Sequence, residues 1–256
     1  MKKFYTTLVI IYFLSDILCA KTVNSNATKI ELINIVNQQQ VLSQRITKAY
    51  LYTGKNIAVD RANKQLKSAL KSFYKTYSTI NTSTKSPEIR NIMSFIKKSS
   101  NEFNRLVKQP HNKKNAKLIL QLSEIVLEKS KRVEVLLKKD LKKEAYESIS
   151  KSGQQQVLVE KIAKYYIAYQ SDTNDISLKK KIKSSVEHFA KNHQNLMENK
   201  HNSKIITQKL KEVDALWKVA YPLYKGMKLS SIVFNSTNKI SKKMKEVTRL
   251  YMTMSK

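Results

Sequence analysis

Apolar residues recur along this chain at steps of three and four, with polar and charged residues between them, and no stretch alternates strictly as a half-buried strand does. Leu32, Ile35, Leu42, Ile46 and Ala49 make one such arc, with Gln39 filling the gap. The pattern predicts a first helix around this arc and a second over about 57–80. A third begins at Ser86-Pro87-Glu88, where proline suits the first turn, and ends near Pro110. A fourth covers about 115–140, and four more follow near 144–170, 175–198, 203–220 and 227–254. Between Lys114 and Lys151 there is neither glycine nor proline, so the fourth helix is expected to run on into the fifth. The fold class read from this is all-α, two tandem four-helix bundles.

The order of elements repeats. "NQQQVLSQRITKAY" (Asn37 to Tyr50) returns as "GQQQVLVEKIAKYY" (Gly153 to Tyr166), an offset of 116. The same offset aligns Leu66 with Ile182, Leu70 with Val186 and Phe73 with Phe189. An offset of 114 pairs Ile92 with Ile206, Ile96 with Leu210 and Phe103 with Trp217. "LSEIV" (Leu122 to Val126) matches "LSSIV" (Leu229 to Val233) at 107. Blocks that keep their order while the offset falls between them read as a tandem duplication, with modules over 21–142 and 143–256.

Glutamine triplets are poor core material, yet they recur at the same place. On a helical wheel of about 100° per residue, Gln39 lies inside the main apolar arc. A second stripe holds Ile33, Val36, Gln40, Ser43, Thr47 and Leu51, answered in the other module by Ile149, Ser152, Gln156, Val159, Ala163 and Ile167. Gln38 shares the opposite shoulder with Arg45. Two buried stripes predict that the first and fifth helices pack together, with Gln40 and Gln156 at the seam and Gln39 and Gln155 held inside their own bundles. Buried amides demand partners. Two readings stay open: an amide network that fixes register, as buried Asn does in coiled coils, or a pocket whose amides bind a small polar or anionic ligand. The candidate ligand residues are Gln40, Gln156, Val36, Ser43, Ser152 and Val159, with Gln38, Gln39, Arg45, Gln154 and Gln155 supporting them.

Composition adjusts this picture. Three glycines and three prolines in 256 residues suit long helices, and 41% hydrophobic residues suffice for a core. Lys2 and Lys3 precede an apolar run ending at Cys19-Ala20, so residues 1–20 read as a signal peptide cleaved before Lys21, which places the product in the periplasm. An uncleaved anchor is the alternative. Cys19 is the only cysteine and leaves with the signal, so neither a disulfide nor a thiolate nucleophile is expected. No later stretch is apolar enough to span a membrane. The formal charge of +30 is spread along the chain and reads as solvated helix faces, not as a nucleic-acid site.

"INIVNQQQVLSQRITKAYLYTG" (Ile33 to Gly54) resembles the motif of the PilJ-type domain, the N-terminal sensor domain of type IV pilus methyl-accepting chemotaxis transducers, akin to the sensors of NarX-like nitrate/nitrite kinases. The family pattern is Ile-Asn-x-Ala-Gly-Arg-Gln-Arg-Met-Leu-Ser-Gln-Arg-Met-Ala-Lys-Ala-Tyr. This chain keeps Ile33, Asn34, Gln39, Leu42, Ser43, Gln44, Arg45, Lys48, Ala49 and Tyr50. The second copy keeps Gly153, Gln155, Leu158, Ile162, Ala163, Lys164 and Tyr166. The resemblance implies an extracytoplasmic helical bundle whose motif helices pair and hold one anion between two arginines. Two copies in one chain would imitate that dimer, so a monomer is expected. The two arginine positions are Gln38 and Gln40 here, and Gln154 and Gln156 in the repeat. The pocket implied is therefore a neutral amide one, suited to a weakly charged or neutral polar ligand. The chain as it stands carries no kinase or signalling domain, so a separate membrane receptor or signalling partner is expected.

His111, His188, His193 and His201 read as surface or loop residues, since none has the spacing of a metal pair. Trp217 reads as core, and Tyr165, Tyr166 and Tyr169 as a helix–helix seam. With no phosphate loop and no nucleophile–base order, neither enzyme activity nor a cofactor is expected. The functional reading is an exported, non-catalytic, sensor-like binding protein; the alternative is a ligand-free helical scaffold that docks on a chemoreceptor or pilus component.

Overall fold

The polar-apolar periods resolve into eight helices in a computed structural model that describes residues 29–171, 175–226 and 229–254. They are α1 (29–54), α2 (Val59–Ser83), α3 (Pro87–Val107), α4 (Lys113–Lys138), α5 (Lys143–Ser171), α6 (Ile176–Met197), α7 (Lys204–Gly226) and α8 (Ser230–Met254). Among the described residues there is no strand, and no helix is long and apolar enough to cross a membrane. The signal peptide read over 1–20 lies outside the described residues.

Local chemistry starts the helices where the sequence places them. Ser86 Oγ accepts from the Ile89 N–H at 3.4 Å, with Pro87 in the first turn of α3. Asn112 caps α4 through the Asn115 N–H at 2.8 Å, and Asp175 caps α6 through the Ser177 N–H at 2.9 Å. The turn from α1 to α2 uses two left-handed residues that are not glycine, Asn56 (φ 56°) and Ala58 (φ 50°).

The fourth and fifth helices do not run on. α4 ends at Lys138 and α5 starts at Lys143, with the Leu141 N–H donating to the Lys138 carbonyl at 3.0 Å. Helix propensity alone would continue here. Tertiary contacts outweigh it, because α5 must return along α4 to set Ser150 beside Glu134 and Lys164 beside Glu124.

α1 and α5 lie side by side and run parallel. Asn37 abuts Gly153, Gln38 meets Gln156, and Arg45 meets Glu160. α4 and α8 flank this pair and run antiparallel to it. Gln44 and Thr47 donate to the α4 carbonyls of Ser123 and Ile119, and Arg45, Lys48 and Tyr52 bond to Ser241, Asn238 and Ser230 of α8. These four helices form the centre. α3 packs on α4, α6 on α5 and α7 on α8 from outside.

Burial follows one register in the flanking helices. Ile119, Ser123, Val126, Leu127, Ser130, Val133, Glu134 and Leu137 are buried in α4, and each residue 114 further on is buried in α8, from Val233 to Tyr251. The offset of 107 read from "LSEIV" and "LSSIV" is not that register: Leu122 sits in the middle of α4, whereas Leu229 precedes α8 and is exposed. The two offsets differ by one heptad. Seven residues are nearly two turns, so the slip preserves the face and only the height is wrong. In α2 and α6, Ala62, Leu66, Phe73 and Ile80 are buried, as are Leu178, Ile182, Phe189 and Leu196 at an offset of 116. Phe73 meets Phe103 edge-on at 5.9 Å, and Phe189 stacks on Trp217 at 4.1 Å. Each such buried aromatic contributes about 1.5–3 kcal/mol.

Candidate functional site

A helix buried on all sides is ordinarily apolar on all sides. α1 is not. From residue 36 to residue 52 every side chain is buried except Gln38 and Arg45, which are half-buried, and this stretch carries Gln39, Gln40, Ser43, Gln44, Thr47 and Lys48. α5 repeats the arrangement from 152 to 168, with Gln154, Leu158 and Lys161 half-buried. The steps of four, three and four that join Asn37, Val41, Gln44 and Lys48 on one helix, and Gly153, Val157, Glu160 and Lys164 on the other, place these residues along the seam.

The layers differ in chemistry. A Cβ on Gly153 would lie 2.7 Å from Asn37 Nδ2 and 3.0 Å from Asn37 Cβ, so the backbones approach closely only because one residue has no side chain. Val41 and Val157 share a small apolar cluster with Leu127. Below them the seam is charged. Arg45 donates to Glu160 Oε1 through Nε and Nη2, at 2.9 and 2.7 Å, and Lys48 Nζ lies 2.6 Å from Glu160 Oε2 and 2.7 Å from Asn238 Oδ1. Crossing in the other direction, Lys164 donates to Gln44 Oε1, to Ser123 Oγ at 3.0 Å and to the Glu124 carboxylate. Tyr165 also donates to Glu124, at 2.8 Å. Lys48, Glu160 and Lys164 are fully buried.

Burial dominates their protonation. It pulls the Lys48 ammonium down to about 8 against the attraction of Glu160, and Arg45 adds to the fall. It pulls Lys164 down to about 8 against Glu124, helped by Lys161 and Lys181. For Glu160 burial acts upward, but Arg45 and Lys48 together hold the carboxyl below its ordinary value. Glu124 is held down in the same way, Lys164 overcoming the effect of burial.

The residues singled out in the sequence divide between seam and flanks. Gln38 reaches across the seam, its Nε2 donating to Gln156 Oε1 at 3.4 Å. Gln40 turns to α4 instead, where it donates to Glu134 Oε2 at 2.9 Å and, more weakly, to Asn37 Oδ1 at 3.5 Å. Gln156 turns to α8 and donates to Thr248 Oγ1 at 3.0 Å. The stripe of Gln40, Ser43 and Thr47 thus packs on the flanking helix, and the adjacent one forms the seam. The wheel orders faces correctly but cannot say which neighbour each face meets. Ser43 and Ser152 donate back to the Gln40 and Ile149 carbonyls at 2.8 and 3.0 Å, and Val36 and Val159 are fully buried. Gln155 donates to the Phe189 carbonyl at 3.0 Å inside its own bundle, whereas neither amide atom of the buried Gln39 has a partner. Gln154 is half-buried. Arg45, assigned to the shoulder away from Gln40, is a seam residue.

Sequence reasoning missed the buried role of Lys48, Glu160 and Lys164. The available signal was that Lys48 and Lys164 occupy the same place in both copies, within a stretch whose neighbours are apolar. His193 is another correction: it is buried in α6 and stacked on Phe189, with centroids 5.8 Å apart. Among the described residues no three of His, Cys, Asp and Glu converge as a metal cage requires. No protein-family model, curated protein or solved structure matches the chain.

Proposed function

We propose that the chain is an exported, non-catalytic, sensor-like binding protein made by internal duplication of a PilJ-like helical module. Its two motif helices take a small polar or anionic ligand of the nitrate or nitrite class between them, near Gln40 and Gln156, which edge the seam on the α4 and α8 sides. A separate membrane partner reads the result from the periplasmic side. One observation carries the reading: the helices bearing the repeated block lie parallel at the centre and share a polar layer where a structural bundle would bury leucine. Arg45, Lys48 and Lys164 there face two carboxylates, Glu160 and Glu124. A layer richer in cations than anions favours an added anion.

Nitrate and nitrite at about 10 mM should raise the melting temperature of the protein above a chloride control, by binding the native state. The Gln156→Leu variant should lose that shift. If neither anion moves the wild-type transition, the seam is structural. The mature amino terminus should be Lys21; recovery of Met1 to Ala20 on the envelope protein would refute cleavage. One observation favours the scaffold reading: Gln40 and Gln156 already donate to protein partners, Glu134 and Thr248, so these two amide N–H groups need no ligand. Crosslinking to a chemoreceptor or pilus component in the absence of any anion response would select it.

A further inference from the structure

The two buried lysines are neutralised differently. Lys164 has its own carboxylate on the flanking helix, Glu124 of α4. In the register that relates α4 to α8, the residue at that position is Asn238. Lys48 therefore meets a neutral amide there, 2.7 Å away, and shares Glu160 with Arg45. On this side a groove of about 430 Å³ opens between α1, α2 and α8. Arg45, Arg61 and Lys64 converge on it, and none of the residues lining it is acidic. Arg61 is exposed and spends one N–H on Asn235 Oδ1, at 2.8 Å. Gln65 donates to Asn238 Oδ1 at 2.8 Å, but its own Oε1 is buried without a donor. Leu42 and Phe234 supply an apolar wall.

We propose that this groove binds a small organic carboxylate bearing a hydroxyl or amino group, a site that borders the seam at Arg45 but includes neither Gln40 nor Gln156. The carboxylate sits among Arg45, Arg61 and Lys64, where the exposed Arg61 guanidinium suits its geometry; Arg45 already spends Nε and Nη2 on Glu160 and adds its remaining N–H groups. Once the Gln65 side chain turns toward the groove it lines, the hydroxyl or amino group donates to its Oε1, otherwise an unmet acceptor. The carbon skeleton lies on Leu42 and Phe234, a contact that an inorganic anion cannot use.

Titration calorimetry of the full mature chain with malate, succinate and inorganic phosphate at constant ionic strength tests this. Malate should bind, succinate more weakly because it lacks the hydroxyl, and phosphate weakest. Arg61→Gln combined with Lys64→Gln changes only exposed rim residues and should weaken malate by about tenfold or more. Asn238→Glu should abolish malate binding by supplying the carboxylate internally. Gln156→Leu should leave malate binding intact, whatever it does to a nitrate response. The proposal is overturned if malate does not bind at about 10 mM, or if phosphate binds as well as malate. It is equally overturned if the rim variant binds malate like the parent, or if Gln156→Leu, and not the rim variant, loses it.

Discussion

Each glutamine of the repeated triplets answers to its own surroundings, and their substitutions should separate accordingly. Gln39 is fully buried with both amide atoms unpaired, so its amide is desolvated without compensation. Gln39→Leu should raise stability to urea by about 1 kcal/mol or leave it unchanged. Gln40 differs, because its Nε2 meets a carboxylate oxygen of Glu134, which is buried among Gln40, Ser150 and Lys138. Gln40→Leu should cost about 1–3 kcal/mol by stripping a donor from that carboxylate. Equal effects of the two substitutions in urea titrations would contradict these assignments.

The spacing of α1 and α5 is set where Asn37 meets Gly153. The two positions are equivalent in the repeated block, yet one carries an amide side chain and the other none. Gly153→Ala should push Asn37 and the helix behind it, destabilising by about 1–3 kcal/mol through overpacking. Shortening the opposing side chain with Asn37→Ala should restore most of that loss, since Asn37 Nδ2 has no partner and its Oδ1 accepts only a long bond from Gln40, at 3.5 Å. A double-mutant cycle gives the coupling directly. Additive effects would mean that the two residues do not share one gap.

The whole molecule carries its charged layer at its centre, and this sets its response to pH. Lys48 and Lys164 are held near 8 by burial, so above pH 8 they lose their protons in the folded chain while the unfolded chain keeps them up to about 10.5. Between these values the unfolded state binds more protons, so stability rises with pH, on the order of 1–3 kcal/mol from pH 8 to 10. Above about pH 10 the direction reverses. Burial, then Glu124, raises the Tyr165 phenol, and burial raises Tyr224, so only the unfolded chain ionises them there. At the acid end, Glu160 and Glu124 titrate below their ordinary value, and stability falls as pH drops below about 4.5. Urea midpoints measured across this range should show a maximum near pH 10, and Lys48→Met with Lys164→Met should flatten the rise from pH 8. A wild-type profile that is flat from pH 7 to 10 would refute it.

Periodicity determined the eight helical segments, and Ser86-Pro87 the start of α3, because apolar spacing and capping act within a few residues. The wheel also told that the first and fifth helices bury more than one face. It could not tell that Gln40 and Thr47 meet α4, that Arg45 and Lys48 meet α5 and α8, and that Gln44 meets both α4 and α5, since adjacent faces of a helix differ by only a fraction of a turn. Nor could it tell that the chain breaks at 139–142, where the local sequence has no glycine or proline and only the return of α5 along α4 demands a turn. The charge of Lys48, Lys164 and Glu160 resembles that of surface residues when read along the chain. Only the packing of α4 and α8 against both motif helices removes these groups from water, and with water gone each must find its partner within the protein.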